Sequence, residues 1–289
     1  MAFVPPTMCH DSIYGKCTSR RCQRQHLGAG VQLYDSHCHL DILLKKHSFR
    51  LSDVIRPNQF AGMITNFCHP DNYHLFDTVM NQSSLIWASV GVHPKFASSF
   101  GRKEFQMKDK LNNPRVVAVG ECGLDYTYAD PNDPFAVKQQ KDAFVAQCQL
   151  AKERGLPLVV HCREAESDCL DVMRHHLPKG QRIHLHCFTG GWFHAQQFLR
   201  AFDNLKIGVT GLIGMSKNVS DVAKLAPIDK LLLETDAPYL VPAGLASEHR
   251  FTSPEMVLYQ AKLIADMRRI PVDEVCVQTA KSTKFVYGI

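Results

Sequence analysis

A chain of 289 residues with 45% hydrophobic and 21% charged side chains is long enough for one large α/β domain or a barrel with a small appendage, and this composition excludes overall disorder. The formal net charge is +5 with histidine neutral. Of this, +3 falls in the first thirty residues, where Lys16, Arg20, Arg21 and Arg24 face Asp11 alone, which predicts an anionic partner there. No apolar run reaches the length of a membrane span, and Met1–Gly30 holds no signal-peptide apolar segment. The expected home is therefore cytoplasmic or nuclear, without membrane association, and a monomer is the default.

In chain order, the first feature is Cys9, Cys17, Cys22 and His26, spaced C-x7-C-x4-C-x3-H. Three thiolates and an imidazole form a closed tetrahedral set for one structural Zn²⁺, and a fragment with so little apolar content would fold only around the metal. The spacing resembles the CCCH zinc fingers, which implies single-stranded RNA binding; Tyr14, Lys16 and the arginines agree with it. A basic leader without metal, or a finger that docks protein, are the alternatives. The composition changes at Leu27-Gly28-Ala29-Gly30, which reads as a short flexible hinge. The domain division is thus 1–30 for the finger and 31–289 for a second, much larger domain.

From Val31 onward short apolar runs alternate with helical patterns. The runs are Val31–Tyr34, Gly62–Phe67, Ile86–Val92, Val116–Gly120, Leu156–Val160, Ile183–His186, Lys206–Thr210 and Lys230–Glu234. Between two of them, Phe144, Val145, Cys148 and Ala151 recur at helical spacing within Lys138–Arg154, which stops at Gly155 before Pro157. The last two helical stretches are Pro254–Arg269 and Val272–Tyr287. Eight such units predict a closed (β/α)₈ TIM barrel preceded by the small zinc-finger module.

Six candidate metal ligands stand at the ends of apolar runs: His37, His39, Glu121, His161, His186 and Asp236. In a parallel barrel these ends converge on one mouth. Residues at i and i+2 on a strand share a face, so His37 and His39 can bind one ion together, with Asp236 beside them once the barrel closes. His161 and His186, on consecutive strands, could hold a second ion, and Glu121 could bridge both. Imidazole and carboxylate donors suit Zn²⁺, Mn²⁺ or Mg²⁺. Arg163, two residues past His161, offers a guanidinium suited to phosphate. The cysteines adjoining ligands (Cys38, Cys122, Cys162, Cys187) are predicted to point outward and pack as small hydrophobes. His69, His74 and His184 are read as structural. The segments Tyr126–Pro134 and Gly211–Ser220 are candidates to contact substrate.

The stretch from Val31 to Ile289 resembles the TatD family of metal-dependent deoxyribonucleases, within the amidohydrolase-like barrels. The matching pieces, all in the family's order, are Asp35-Ser36-His37-Cys38-His39-Leu40-Asp41, Gly91-Val92-His93-Pro94, Gly120-Glu121-Cys122-Gly123-Leu124-Asp125-Tyr126, His161-Cys162-Arg163-Glu164-Ala165, His186-Cys187-Phe188-Thr189-Gly190 and Glu234-Thr235-Asp236-Ala237-Pro238-Tyr239. The resemblance implies that the six residues are the ligands of two divalent ions. It implies that His93 and Arg163 contact the scissile phosphate or its leaving oxygen, and that Glu121 and Asp236 orient the attacking water, Asp236 accepting its proton. Some amidohydrolase barrels bridge their metals with a modified lysine; the glutamate here disfavours amide or phosphotriester chemistry. The expected function is a nuclease acting on single-stranded DNA or RNA, with 3′-5′ exonuclease-like action. The alternatives are a nucleic-acid-binding protein with an inactive barrel and a small-molecule hydrolase.

Overall fold

The computed structural model describes residues 27–47, 60–246 and 249–289. The proposed zinc ligands Cys9, Cys17, Cys22 and His26 lie outside the described residues. The barrel strands are β1 (Leu33–Cys38), β2 (Phe60–Phe67), β3 (Ile86–Val90), β4 (Val116–Asp125), β5 (Leu158–Arg163), β6 (Ile183–His186), β7 (Leu205–Val209) and β8 (Leu231–Leu233). They pair in parallel in sequence order as an eight-stranded sheet. The α-helices among the described residues are α1 (Leu40–His47), α2 (Phe76–Met80), α3 (Phe100–Lys110), α4 (Pro134–Arg154), α5 (Glu166–His176), α6 (Gly191–Ala201), α7 (Lys217–Leu225), α8 (Val257–Arg268) and α9 (Val272–Tyr287). None is long and apolar enough to cross a membrane.

All eight expected strands are present, but β1 and β4 run further than their apolar runs. β1 continues through Asp35, Ser36 and His37, and β4 through Glu121 to Asp125. Buried polar residues can extend a strand only where partners satisfy them. Asp35 accepts from the backbone N–H of His37 and Thr235, and Ser36 Oγ donates to the Leu233 carbonyl at 2.9 Å. These bonds tie β1 to the end of β8. The barrel closes where Asp236 N donates to His37 O at 2.9 Å and His39 N donates to Ala237 O at 2.7 Å.

Helix α4 illustrates how local sequence sets an element. Asp133 caps it by accepting from Phe135 N and Ala136 N, Pro134 occupies the first turn, and Gly155 ends it. Its inward residues Phe144, Cys148 and Ala151 join the apolar layer between strands and helices. A separate cluster fills the barrel interior: Ile64, Ala118, Val159 and Leu232 meet Val286 and Tyr287 from the end of α9. That helix end floors the barrel. The Leu27–Gly30 stretch, expected to be a flexible hinge, is instead docked. Leu27 packs against the core, and Gly28 N donates to Asp273 of α9 at 3.1 Å.

Cys38, Cys122 and Cys162 are buried thiols, as expected. Cys187 differs. It follows the last residue of β6 with φ +42°, so strand alternation no longer governs it, and it is only half-buried.

Gly123 sits beside β5 with φ +145°, and a Cβ there would lie 1.9 Å from the His161 carbonyl oxygen. Neither the conformation nor the backbone can yield cheaply. Gly123→Ala is expected to cost about 3 kcal/mol of stability, read from the urea unfolding midpoint; an unchanged midpoint would refute this packing argument.

Candidate metal centre

The register of β4, β5 and β6 sets the ligand candidates side by side, with Gly123 paired to His161 and His161 paired to His186. Barrel closure adds His37, His39 and Asp236 from the other side. The Nε2 atoms of His37 and His39 lie 3.3 Å apart, and the His37 ring stacks on that of His186 with centroids 3.4 Å apart.

Hydrogen bonds behind the rings decide which nitrogen faces the centre. His39 Nδ1 is 3.1 Å from the Asn66 carbonyl oxygen, which can only accept, so the Nδ1 proton is held there. His186 Nδ1 likewise faces Glu234 Oε2 at 3.1 Å. In its neutral form each ring therefore turns an Nε2 lone pair inward. His161 is turned the other way: Nε2 meets Asp125 Oδ2 at 2.8 Å, and Nδ1 points to Glu121 Oε1 at 2.7 Å. His93 is different again. Its Nδ1 accepts from Lys95 N at 3.0 Å, which leaves the proton on Nε2, 3.5 Å from Glu121 Oε1.

Glu121 stands between two groups. Its Oε2 is 3.4 Å from His37 Nε2 and 3.8 Å from His39 Nε2. Its Oε1 faces His161 and His93, with His186 Nε2 at 3.7 Å. Asp236, in the left-handed region at φ +57°, places Oδ1 3.3 Å from His39 Nε2, 3.6 Å from His186 Nε2 and 3.7 Å from His37 Nε2. Imidazole nitrogens and carboxylate oxygens converging at such spacings are a donor set for divalent cations. All six expected ligands and His93 are thus brought together, with Asp236 shared between the β1 histidines and His186. Arg163 is not brought in: it is exposed at the end of β5, where its carbonyl accepts from Tyr126 N.

The charges follow from these contacts. Burial, helped by the stacked His186, lowers His37 to about 3, and burial beside His161 lowers His93 to about 3. Burial also opposes protonation of His39, but Asp236 overrides it and raises the group to about 9. His161, against the same burial, is raised to about 10 by Asp125 and Glu121. Burial alone would raise Glu121, but His186 and the hydrogen bond from His161 hold it well below the usual carboxylate range.

Several supporting residues were not anticipated. Glu234 Oε1 accepts from Cys187 N at 2.6 Å, while its Oε2 meets both His186 and His184 Nε2, the latter at 2.7 Å. His184 Nδ1 in turn reaches Tyr287 Oη at 2.6 Å, and Tyr287 Oη lies 3.1 Å from the Ser36 carbonyl. His184 so faces away from the Glu121 centre. Gly208 makes room for Glu234, since a Cβ there would fall 2.3 Å from its carboxylate. Cys68 donates to Glu121 Oε2 at 3.4 Å. The legible signal was an acid ending the Leu231–Leu233 run, two residues before Asp236.

The family model described as TatD related DNase matches residues 34–288. The chain is 30% identical to the human (Homo sapiens) protein named 3'-5' RNA nuclease TATDN2 over 99% of its own length, and spans 38% of that relative. It is 35% identical to the 3'-5' ssDNA/RNA exonuclease TatD of Erwinia amylovora, over 82% of this chain and 93% of that one. Among solved structures it resembles YJJV, a TatD homologue from Escherichia coli, with a TM-score of 0.78 at 26% identity, covering 90% of this chain and 99% of that one.

Two outcomes are expected. Glu234→Gln, which weakens the hold on the His186 ring, should lower divalent-metal affinity about 10- to 100-fold, measured by chelator competition; Gly208→Ala should shift it the same way. His39 and His161 titrate at about 9 and about 10, so both are protonated at neutral pH in the absence of metal. Metal binding must then release protons, and affinity should rise with pH up to those values. Calorimetry in buffers of different ionisation enthalpy measures the release, and a buffer-independent enthalpy at neutral pH would contradict it.

Proposed function

The chain belongs to the TatD-related DNase family, and from that premise we propose that it is a metal-dependent nuclease hydrolysing phosphodiester bonds of single-stranded DNA or RNA with 3′-5′ exonuclease polarity. The observation that carries this reading is Glu121, a buried carboxylate whose two oxygens face different histidine groups in one barrel mouth. That is the geometry of a ligand shared between two cations. In this reading His37, His39 and Asp236 hold one ion, His161 and His186 hold the other, and Glu121 bridges them. Zn²⁺, Mn²⁺ or Mg²⁺ there would supply Lewis acidity and a water deprotonated near neutral pH.

The remaining roles fall to the chain's own groups. Asp236 is the better placed to orient the attacking water and accept its proton, because its side chain is 13% exposed against 3% for Glu121. His93 keeps its proton on Nε2 and is neutral, so it can donate a hydrogen bond to a phosphate oxygen without competing for metal. Arg163, exposed to solvent at the rim, can turn its guanidinium to the phosphate or the leaving oxygen. Upstream, Cys9, Cys17, Cys22 and His26 would hold a structural Zn²⁺ and bind RNA, raising its effective concentration at the mouth. The names of the human and Erwinia relatives support both RNA and single-stranded DNA as substrates.

The test is cleavage of end-labelled single-stranded RNA and DNA of one sequence with Mg²⁺ or Mn²⁺ and with EDTA. Metal-dependent ladders growing from the 3′ end are expected. They should be lost in Asp236→Ala and His161→Ala, while Cys17→Ala keeps cleavage of short strands and binds RNA more weakly. Intact substrate with every metal, from folded and metal-loaded protein, would overturn the nuclease reading.

A further inference from the structure

Two exposed tyrosines stand at the rim of the mouth, each one ring away from a histidine of the centre. Tyr128, in the loop after β4, is 53% exposed and meets the His93 ring edge-on with centroids 6.2 Å apart. Tyr239, in the loop after β8, is 42% exposed and meets the His39 ring edge-on at 5.9 Å. Strands β4 and β8 are half a circuit apart in the eight-stranded order, so the two rings bracket Glu121 from opposite sides. His93 lies on the Oε1 side of that carboxylate and His39 on the Oε2 side.

Each tyrosine also has an exposed ammonium beside it. Lys95 Nζ is 4.9 Å from the Tyr128 ring centroid, and Lys46 Nζ is 5.8 Å from that of Tyr239. Other lysines lie over the buried rings of Phe76 and Tyr34, or over Phe285 on α9, away from the mouth. An exposed aromatic face with an exposed cation next to it suits one nucleotide of a single strand: the base stacks and the ammonium meets a phosphate. A phosphodiester held at Glu121 has one nucleoside on each side, and the rim offers one tyrosine–lysine pair on each side.

We propose that Tyr128 with Lys95, and Tyr239 with Lys46, are the two nucleobase subsites flanking the scissile phosphate. This rests on the nuclease reading above and adds to it where the substrate's bases sit. Stacking tolerates any base, so the rim selects single strands over duplexes without reading sequence. A duplex end would have to unpair to place a base on either ring.

The test pairs protein variants with base deletions in the substrate, on the full-length, metal-loaded protein. Rates on single-stranded oligonucleotides are compared for the parent, Tyr128→Ala and Tyr239→Ala, with an abasic residue on either side of the scissile bond. Each alanine variant should lose about 10- to 100-fold in kcat/KM on the intact strand. The loss should shrink to within about threefold on the strand abasic at one nucleotide, a different one for each tyrosine. Tyr128→Phe and Tyr239→Phe should retain cleavage, because the ring and not the hydroxyl does the stacking. Equal losses on intact and abasic strands, or phenylalanine variants as poor as alanine, would refute the subsites while leaving the nuclease intact. Binding of 2-aminopurine strands supplies a readout independent of cleavage: quenching on the parent, lost in the alanine variants, supports the subsites even if nothing is cut. A protein that neither cuts nor quenches overturns both readings.

Discussion

The structure depends on the seam where β8 meets β1. Two backbone hydrogen bonds there, Asp236 N to His37 O and His39 N to Ala237 O, close the barrel. They also fix three ligand candidates, because each bond begins or ends on one of them. Asp35 and Ser36 reinforce the seam from within by bonding to Thr235 and Leu233. Fold closure and site assembly are therefore one event. A substitution that loosens the seam would move ligands by the same displacement that opens the sheet.

Around that seam the imidazoles are not interchangeable, although their sequence contexts look alike. A carbonyl behind His39 and a carboxylate behind His186 turn Nε2 lone pairs inward, Asp125 makes His161 present Nδ1, and the Lys95 amide leaves His93 with a proton to give. Which ring nitrogen faces the centre is thus set by the groups behind each ring. Glu234 carries the longest such chain, which runs through His184 to Tyr287 on the barrel floor. This polar thread gives the buried Glu234 carboxylate partners on both oxygens.

Much of this was legible in the sequence. The strands were found as apolar runs, and the candidate ligands as polar residues at their ends. Where the reading fell short, physical reasons are visible. Apolar-run boundaries stopped β1 at Tyr34 because Asp35, Ser36 and His37 are polar, yet all three are buried, and the side chains of Asp35 and Ser36 bond to partners some two hundred residues away. Glu234 could not be recognised as a backing group, since its role depends on rings from β6 and on the space left by Gly208. Strand alternation gave the right face for Cys38 and Cys122 but not for Cys187, which has already left the strand. For Arg163 alternation could indicate a face but not a reach, and the guanidinium stands in solvent.

The distance along the chain between the partners at this seam bears on when the protein can acquire its ions. Asp35 waits for Thr235, 200 residues later, and Ser36 waits for Tyr287, 251 residues later. During synthesis His37 and His39 appear first, Glu121, His161 and His186 follow, and Asp236 comes last of the six. Contacts this remote form late, after the loop-closure entropy of nearly the whole barrel has been met. Until then the six candidate donors cannot all converge, because Asp236 is placed by the seam. The candidate metal centre is therefore complete only once nearly the entire chain has been made.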